Sequence, residues 1–177
     1  MQRFLLLPTL LLASLALSVQ AQQGSKFEMD GLTSTIPANW IKETPTSKLR
    51  FAQFRLPKAP GDAEDAELVV FKGFGGSAKE NIARWKGQFL PPAGDEAKVE
   101  EFKVAGCTVH YVDVSGTYLD GPPMLPAAKK RKKAGFRMLA VQFEAPDNNY
   151  HLTLRGPAKT IEAHKKDFDA WLKGFKK

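Results

Sequence analysis

Cysteine, histidine and long apolar runs are what this 177-residue chain has least of. Cys107 is its one thiol, so no disulfide forms within the chain and stability rests on a packed core. The three histidines, His110, His151 and His164, are far apart and show no metal-ligand spacing, and none is placed by the sequence beside Cys107 to activate it. A nucleophile elbow is missing too, because Gly75-Gly76-Ser77-Ala78-Lys79 lacks the closing glycine. These absences argue against an enzyme, and no cofactor or metal is expected. Beyond the N-terminus no stretch is long and apolar enough to cross a bilayer, so no transmembrane segment is expected.

The single apolar run is short and opens the chain. Arg3 precedes LLLPTLLLASLAL at positions 5–17, and Val19-Gln20-Ala21 sets small residues at a cleavage position. Residues 1–21 therefore read as a secretory signal peptide cut after Ala21, with no cysteine following it to carry a lipid. The expected product, residues 22–177, is a periplasmic or secreted single domain that buries roughly two-thirds of its unfolded surface.

Charge is unevenly spread. Residues 22–128 carry 12 basic and 14 acidic side chains, whereas residues 129–177 carry 13 basic and 5 acidic. A basic C-terminal third bears on partners and surface adsorption, not on fold.

Periodicity supplies the elements. Short strands are expected around Phe27 and Met29 and over LTSTIP, followed by a core Trp40. KLRFAQFRL, with apolar residues in both phases, predicts a central strand covered on both faces. An acid-rich loop, PKAPGDAEDAE, lacks the glycine and terminal glutamate of a calcium loop and reads as solvated. After a strand ending at Phe71, glycines 73, 75 and 76 form a turn, and Ser77 with Glu80 makes a capping box for a helix whose stripe is Ile82, Trp85 and Phe89. Neither the P-loop nor the dinucleotide glycine pattern is completed in that turn. Strands follow over 98–104, with Val99, Phe102 and Val104 inward, and over 108–119, the two meeting at a tight Gly106-Cys107 turn. Residues 120–134, with three prolines and five consecutive cations, predict a long loop. Two more strands over 136–143 and 150–154 lead through Gly156-Pro157 into a terminal helix with Ile161, His164, Phe168, Trp171, Leu172 and Phe175 on one stripe. No βαβ alternation is present, so the pattern predicts an α+β fold, an antiparallel sheet packed between helices.

Two surface features could meet a ligand. Asn81, Arg84, Trp85 and Gln88 recur at i, i+3, i+4 and i+7, a polar and aromatic ridge suited to a small anion, a sugar or a peptide. Lys129, Lys130, Arg131, Lys132 and Lys133 form a patch suited to polyanions. For an exported protein, nucleic acid is not an expected partner, and an anionic envelope polymer, a lipid surface or another exported protein fits better.

The order of elements, and above all the ending YHLTLRGPAKTIEAHKKDFDAWLKGF, resembles the PsbP-like fold of extrinsic photosystem proteins and their bacterial relatives. That resemblance implies a last strand and a C-terminal amphipathic helix closing an antiparallel sheet. FKGFGGSAKENIARWKGQF is similar to a segment of uncharacterised exported bacterial proteins. No manganese, calcium or chloride role carries over, because no matching motif is present. The reading that results is a non-enzymatic accessory or binding module, with binding of an anionic ligand, polymer or lipid as its more specific form.

Overall fold

A computed structural model describes residues 24–90, 97–122 and 126–177. The expected signal peptide and most of the PPAGDEA loop lie outside the described residues. The remainder runs β1 Lys26–Met29, β2 Leu32–Thr35, β3 Ile41–Glu43, β4 Arg50–Leu56, β5 Ala66–Lys72, α1 Ala78–Lys86, β6 Lys98–Val104, β7 Cys107–Asp120, β8 Arg131–Glu144, β9 Asn149–Pro157 and α2 Ala158–Lys173. Strands β3 to β9 form one antiparallel sheet in the order β3-β4-β5-β9-β8-β7-β6, and β1-β2 is a separate hairpin. The last strand thus sits inside the sheet, between β5 and β8.

The α+β arrangement with a helix on each face follows from alternation along the strands. Phe54, Leu68, Leu152, Leu154, Val141 and Tyr111 belong to the larger core, which includes α2 through Ile161, Phe168, Trp171 and Leu172. Residues of the opposite phase, Val112, Val114, Met138 and Ala140, join Trp85 and Phe89 in a smaller core beneath α1. The α2 stripe is buried throughout, including His164, whose Nε2 lies 2.8 Å from the Pro57 carbonyl. Helix α2 has no cap of its own at Pro157. Asp62 supplies one from the β4–β5 loop, accepting from Thr160 N at 2.9 Å and Thr160 Oγ1 at 2.6 Å.

Five expectations change. Strand β4 is one in from the β3 edge, and a register irregularity between Arg50 and Ala52 leaves Leu49 65% and Phe51 44% exposed. Its second face is not apolar but carries Gln53 and Arg55, which bond to Glu43. Val99 is 49% exposed, because its strand β6 forms the other edge. The β6–β7 turn is Ala105-Gly106, both at positive φ, and Cys107 already pairs with Val104. Residues 120–134 are not one long loop, since Tyr118, Leu119 and Asp120 pair with Lys133, Lys132 and Arg131. Repulsion along the cationic run is relieved there by Asp120 and Glu64, which hold Arg131 and Lys133. The acidic loop is likewise not simply solvated, as Asp62 caps α2 and Asp65 binds Arg55 at 2.9 Å.

The β1–β2 hairpin is tied down at both ends. Thr33 and Lys176 exchange backbone bonds of 2.8 and 3.0 Å beside α2, and Asp30 at the turn reaches β9. The Asp30 side chain is only 3% exposed, sits at φ 46°, and accepts from Tyr150 Oη at 2.8 Å, from Asn148 and from Lys72. Burial alone would raise its pKa, but the hydrogen bonds from Tyr150, Asn148 and Lys72 outweigh that and hold it at about 2. A carboxyl that ionises more readily folded than unfolded stabilises the fold above its ordinary pKa of 3.8 and loses that contribution as pH falls toward 2. Replacing Asp30 with Asn, which tolerates the same backbone, should lower the urea midpoint at pH 7. It should also flatten the fall in stability between about pH 4 and 2. Equal midpoints for the two proteins at pH 7 would show that the carboxylate does not brace the hairpin.

Candidate functional site

The sheet's α1 face is built in two halves. Helix α1 packs chiefly on β7 and β8 and reaches β9 through Asn81 and Trp85 at His151, so among the described residues the rest of the β4, β5 and β9 face is left without a helix. A cavity of about 510 Å³ opens at that boundary, within the range of small-molecule sites. Period-2 projection places Val69 and Phe71 of β5 and His151, Thr153 and Arg155 of β9 on its floor. Helix α1 contributes Arg84, Trp85 and Gln88, and Lys130 comes from the start of the β8 region.

Local sequence explains how α1 holds its place. Gly73 and Gly76 take φ of 74° and 98°, which fold the chain back sharply after β5. Ser77 Oγ then accepts from Glu80 N while the Glu80 carboxylate accepts from Ser77 N at 2.8 Å, completing the capping box. One turn later Asn81 is buried, 4% exposed, and its amide joins three elements. Asn81 Nδ2 donates to Gln142 Oε1 at 2.9 Å and lies 3.3 Å from His151 Nε2, while Oδ1 accepts from Arg84 at 2.7 Å. Because the oxygen faces a guanidinium, the amide nitrogen must face the imidazole, so Nε2 is the acceptor and the ring proton sits on Nδ1.

Electrostatics give the cavity one sign. Arg50, Arg84, Lys130 and Arg155 line it. Glu67 lies between Arg50, at 2.6 Å, and Arg155, at 3.1 Å, and pairs with both. No carboxylate pairs with Arg84 or Lys130 among the described residues, so positive charge is in excess. Arg84 is exposed by area, yet desolvation pulls its pKa below the ordinary arginine value, with no anion to offset it. Burial, and then the charge of Arg84, lowers His151 to about 4, so the imidazole is neutral near pH 7. Aromatic rings complete the wall. Phe71 meets Phe74 at 5.2 Å, Phe74 meets His151 at 6.5 Å, and His151 meets Trp85 at 5.9 Å. The Arg155 guanidinium lies 4.8 Å from the Tyr118 ring centroid and also bonds to its hydroxyl.

Of the four ridge residues, Arg84, Trp85 and Gln88 line the cavity, and Asn81 lies behind it as the support of Arg84. The five basic residues are dispersed. Lys130 reaches the cavity, Lys129 and Lys132 are exposed, and Arg131 and Lys133 are paired with acids. Sequence reasoning missed Arg50, Arg155, Tyr118, Phe71, Phe74 and the inward role of His151. The signal was the polar phase of β9, His151-x-Thr153-x-Arg155, which alternates with the apolar Tyr150, Leu152 and Leu154. His110 and His151 share a sheet face but are separated by Gln142 of the intervening strand. No cluster of metal-ligating side chains occurs among the described residues, and none of their helices is long and apolar enough to cross a membrane.

No family model and no curated protein matches the chain. Solved structures do. The solution structure of cyanobacterial PsbP (CyanoP) from Synechocystis covers 93% of this chain and 97% of its own length, at 14% identity and a TM-score of 0.54. The fold is PsbP-like. A Pseudomonas aeruginosa protein of unknown function covers 86% and 95% at 12% identity and a TM-score of 0.47. A Bacteroides thetaiotaomicron structure covers 88% of this chain and 48% of its own at 11% identity and a TM-score of 0.48. At such identities the likeness is one of fold, and the chemistry of the PsbP-like chain must be read from its own cavity.

Protonating His151 would set an N–H against the Asn81 amide. Since the imidazole binds its proton at about 4 in the fold against 6.5 ordinarily, stability should be complete above pH 6.5 and fall as pH drops toward 4. Urea midpoints measured across that interval should fall for the wild-type protein and stay level for His151→Gln. An unchanged slope in the variant would show that His151 is not the titrating group. Asn81→Ala should cost about 1–3 kcal/mol by leaving Gln142 and His151 without their partner.

Proposed function

We propose that the protein is an exported, non-enzymatic binding module that takes a small anionic ligand in the cavity between α1 and the open face of β5 and β9. The observation that carries this reading is Arg84. Its guanidinium is held from behind by Asn81, lines the cavity, and has no carboxylate partner among the described residues. A cation kept this way is poised for an anion, because its position is already fixed by Asn81 and less side-chain freedom remains to be lost on binding. Trp85, Gln88 and Lys130 border the same space, and export is supported by the N-terminal signal pattern.

A second reading concerns larger anions. Lys129 and Lys132 are exposed beside the cavity-lining Lys130, which favours an extended anionic envelope polymer or lipid surface lying across the same mouth.

Both readings can be measured. Trp85 fluorescence should respond to members of an anion screen, and Arg84→Ala should abolish the response at a stability cost of no more than about 1 kcal/mol, that of its hydrogen bond to Asn81. A large stability loss in that variant with no wild-type response would assign Arg84 to structure alone. Retention on anionic vesicles should fall steeply with salt and disappear when Lys129, Lys130 and Lys132 become Gln. Retention insensitive to salt would remove the second reading.

A further inference from the structure

We infer that the ligand of this cavity is a flat aromatic anion, an aryl carboxylate in its simplest form, and not an acyl-chain anion or inorganic phosphate. This rests on the cavity being an anion site, and adds the shape and electronic character of the ligand body. Three observations lead there. The apolar part of the wall is chiefly aromatic, with Phe71, Phe74 and Trp85 joined through His151 at ring separations of 5.2 to 6.5 Å. The rest of the lining carries charge, with the Arg50 and Arg155 guanidiniums set beside Val69 and Thr153, and Glu67, outside the lining, paired with both. Two guanidiniums lie near π surfaces already, Arg155 at 4.8 Å from Tyr118 and Arg84 at 5.7 Å from Trp85.

These features discriminate between ligand bodies. A methylene chain laid over the Arg50 and Arg155 guanidiniums would strip water from charges and return nothing to them. A planar π system can stack on a guanidinium face and meet the ring edges of Phe74 and Trp85, so the same floor becomes attractive. Inorganic phosphate would satisfy Arg84 and leave the aromatic wall wet. The carboxylate belongs at Arg84, where positive charge is uncompensated, and the ring against Phe74. Phe74 is 39% exposed and carried between Gly73 and Gly76, so it can adjust to a ring without disturbing the core.

Isothermal titration calorimetry on the full folded chain with four probes tests this. 2-Naphthoate should bind at least tenfold more tightly than octanoate, inorganic phosphate or the neutral 2-naphthylmethanol. Arg84→Ala should lower naphthoate affinity tenfold or more, and Phe74→Ala should lower it several-fold while leaving octanoate unchanged. Octanoate or phosphate binding as tightly as naphthoate would overturn the aromatic assignment and leave the anion site standing. 2-Naphthylmethanol equalling naphthoate would overturn the anion site itself. Heat from none of the four would overturn both.

Discussion

The constraint on which the structure turns is a mismatch between the sheet and the helices available to cover it. Seven strands at about 4.8 Å spacing spread across roughly 29 Å, whereas the nine residues of α1 extend only about 13 Å. The sixteen-residue α2, with the β1–β2 hairpin beside it, closes its own face. On the α1 side the helix covers β7 and β8 and then runs out. Beyond Val69 and Phe71 the face of β4, β5 and β9 is polar, and Arg50, Gln53, Arg55, Glu67 and Arg155 cross-link there through hydrogen bonds and ion pairs. The cavity is the seam between these two ways of finishing a sheet, which is why aromatic rings and guanidiniums meet in it.

That origin also explains which parts were legible in the residues alone. Both helices could be read directly, because Ser77 and Glu80 form a local capping box and the α2 stripe repeats at helical spacing. The β7, β8 and β9 cores were equally plain, since each strand carries at least one apolar phase. What escaped was the opposite phase. Thr153 and Arg155 look like ordinary solvent-facing residues in β9, and only their register against Glu67 and Val69 of β5 brings them into the cavity beside α1. Strand β4 misled for a related reason, as the irregularity after Arg50 shifts the phase in mid-strand and turns Phe51 outward. The cationic run misled because its partners, Glu64 and Asp120, are distant or across a turn, beyond the reach of a local charge argument. Of the candidate site, Arg84 and Trp85 were visible through their helical spacing, and Arg50, Tyr118 and Arg155 were not.

Most of the acidic side chains among the described residues are committed to architecture. Asp62 caps α2, Asp65 holds Arg55, Arg137 binds Asp113 through two nitrogens at 2.7 Å, and Asp30 anchors the hairpin. Against that background an arginine supported by a buried amide but given no acid stands out more than its exposure suggests. The PsbP-like fold does not dictate such a residue; it provides the strand face and the short helix between which one can be kept.

The interior position of β9 has a consequence for how the molecule comes together. Until residues 149–157 are made, β3-β4-β5 and β8-β7-β6 are separate half-sheets whose inner edges, β5 and β8, are among the most apolar strands in the chain. Those edges offer unpaired backbone to any neighbouring strand, including one from another copy. The β5 border thus stays open from residue 72 onward, and one nine-residue strand near the C-terminus closes it and the β8 border at once. Damage to that strand would show first as aggregation of newly made protein, before any weakening of the finished fold could be seen.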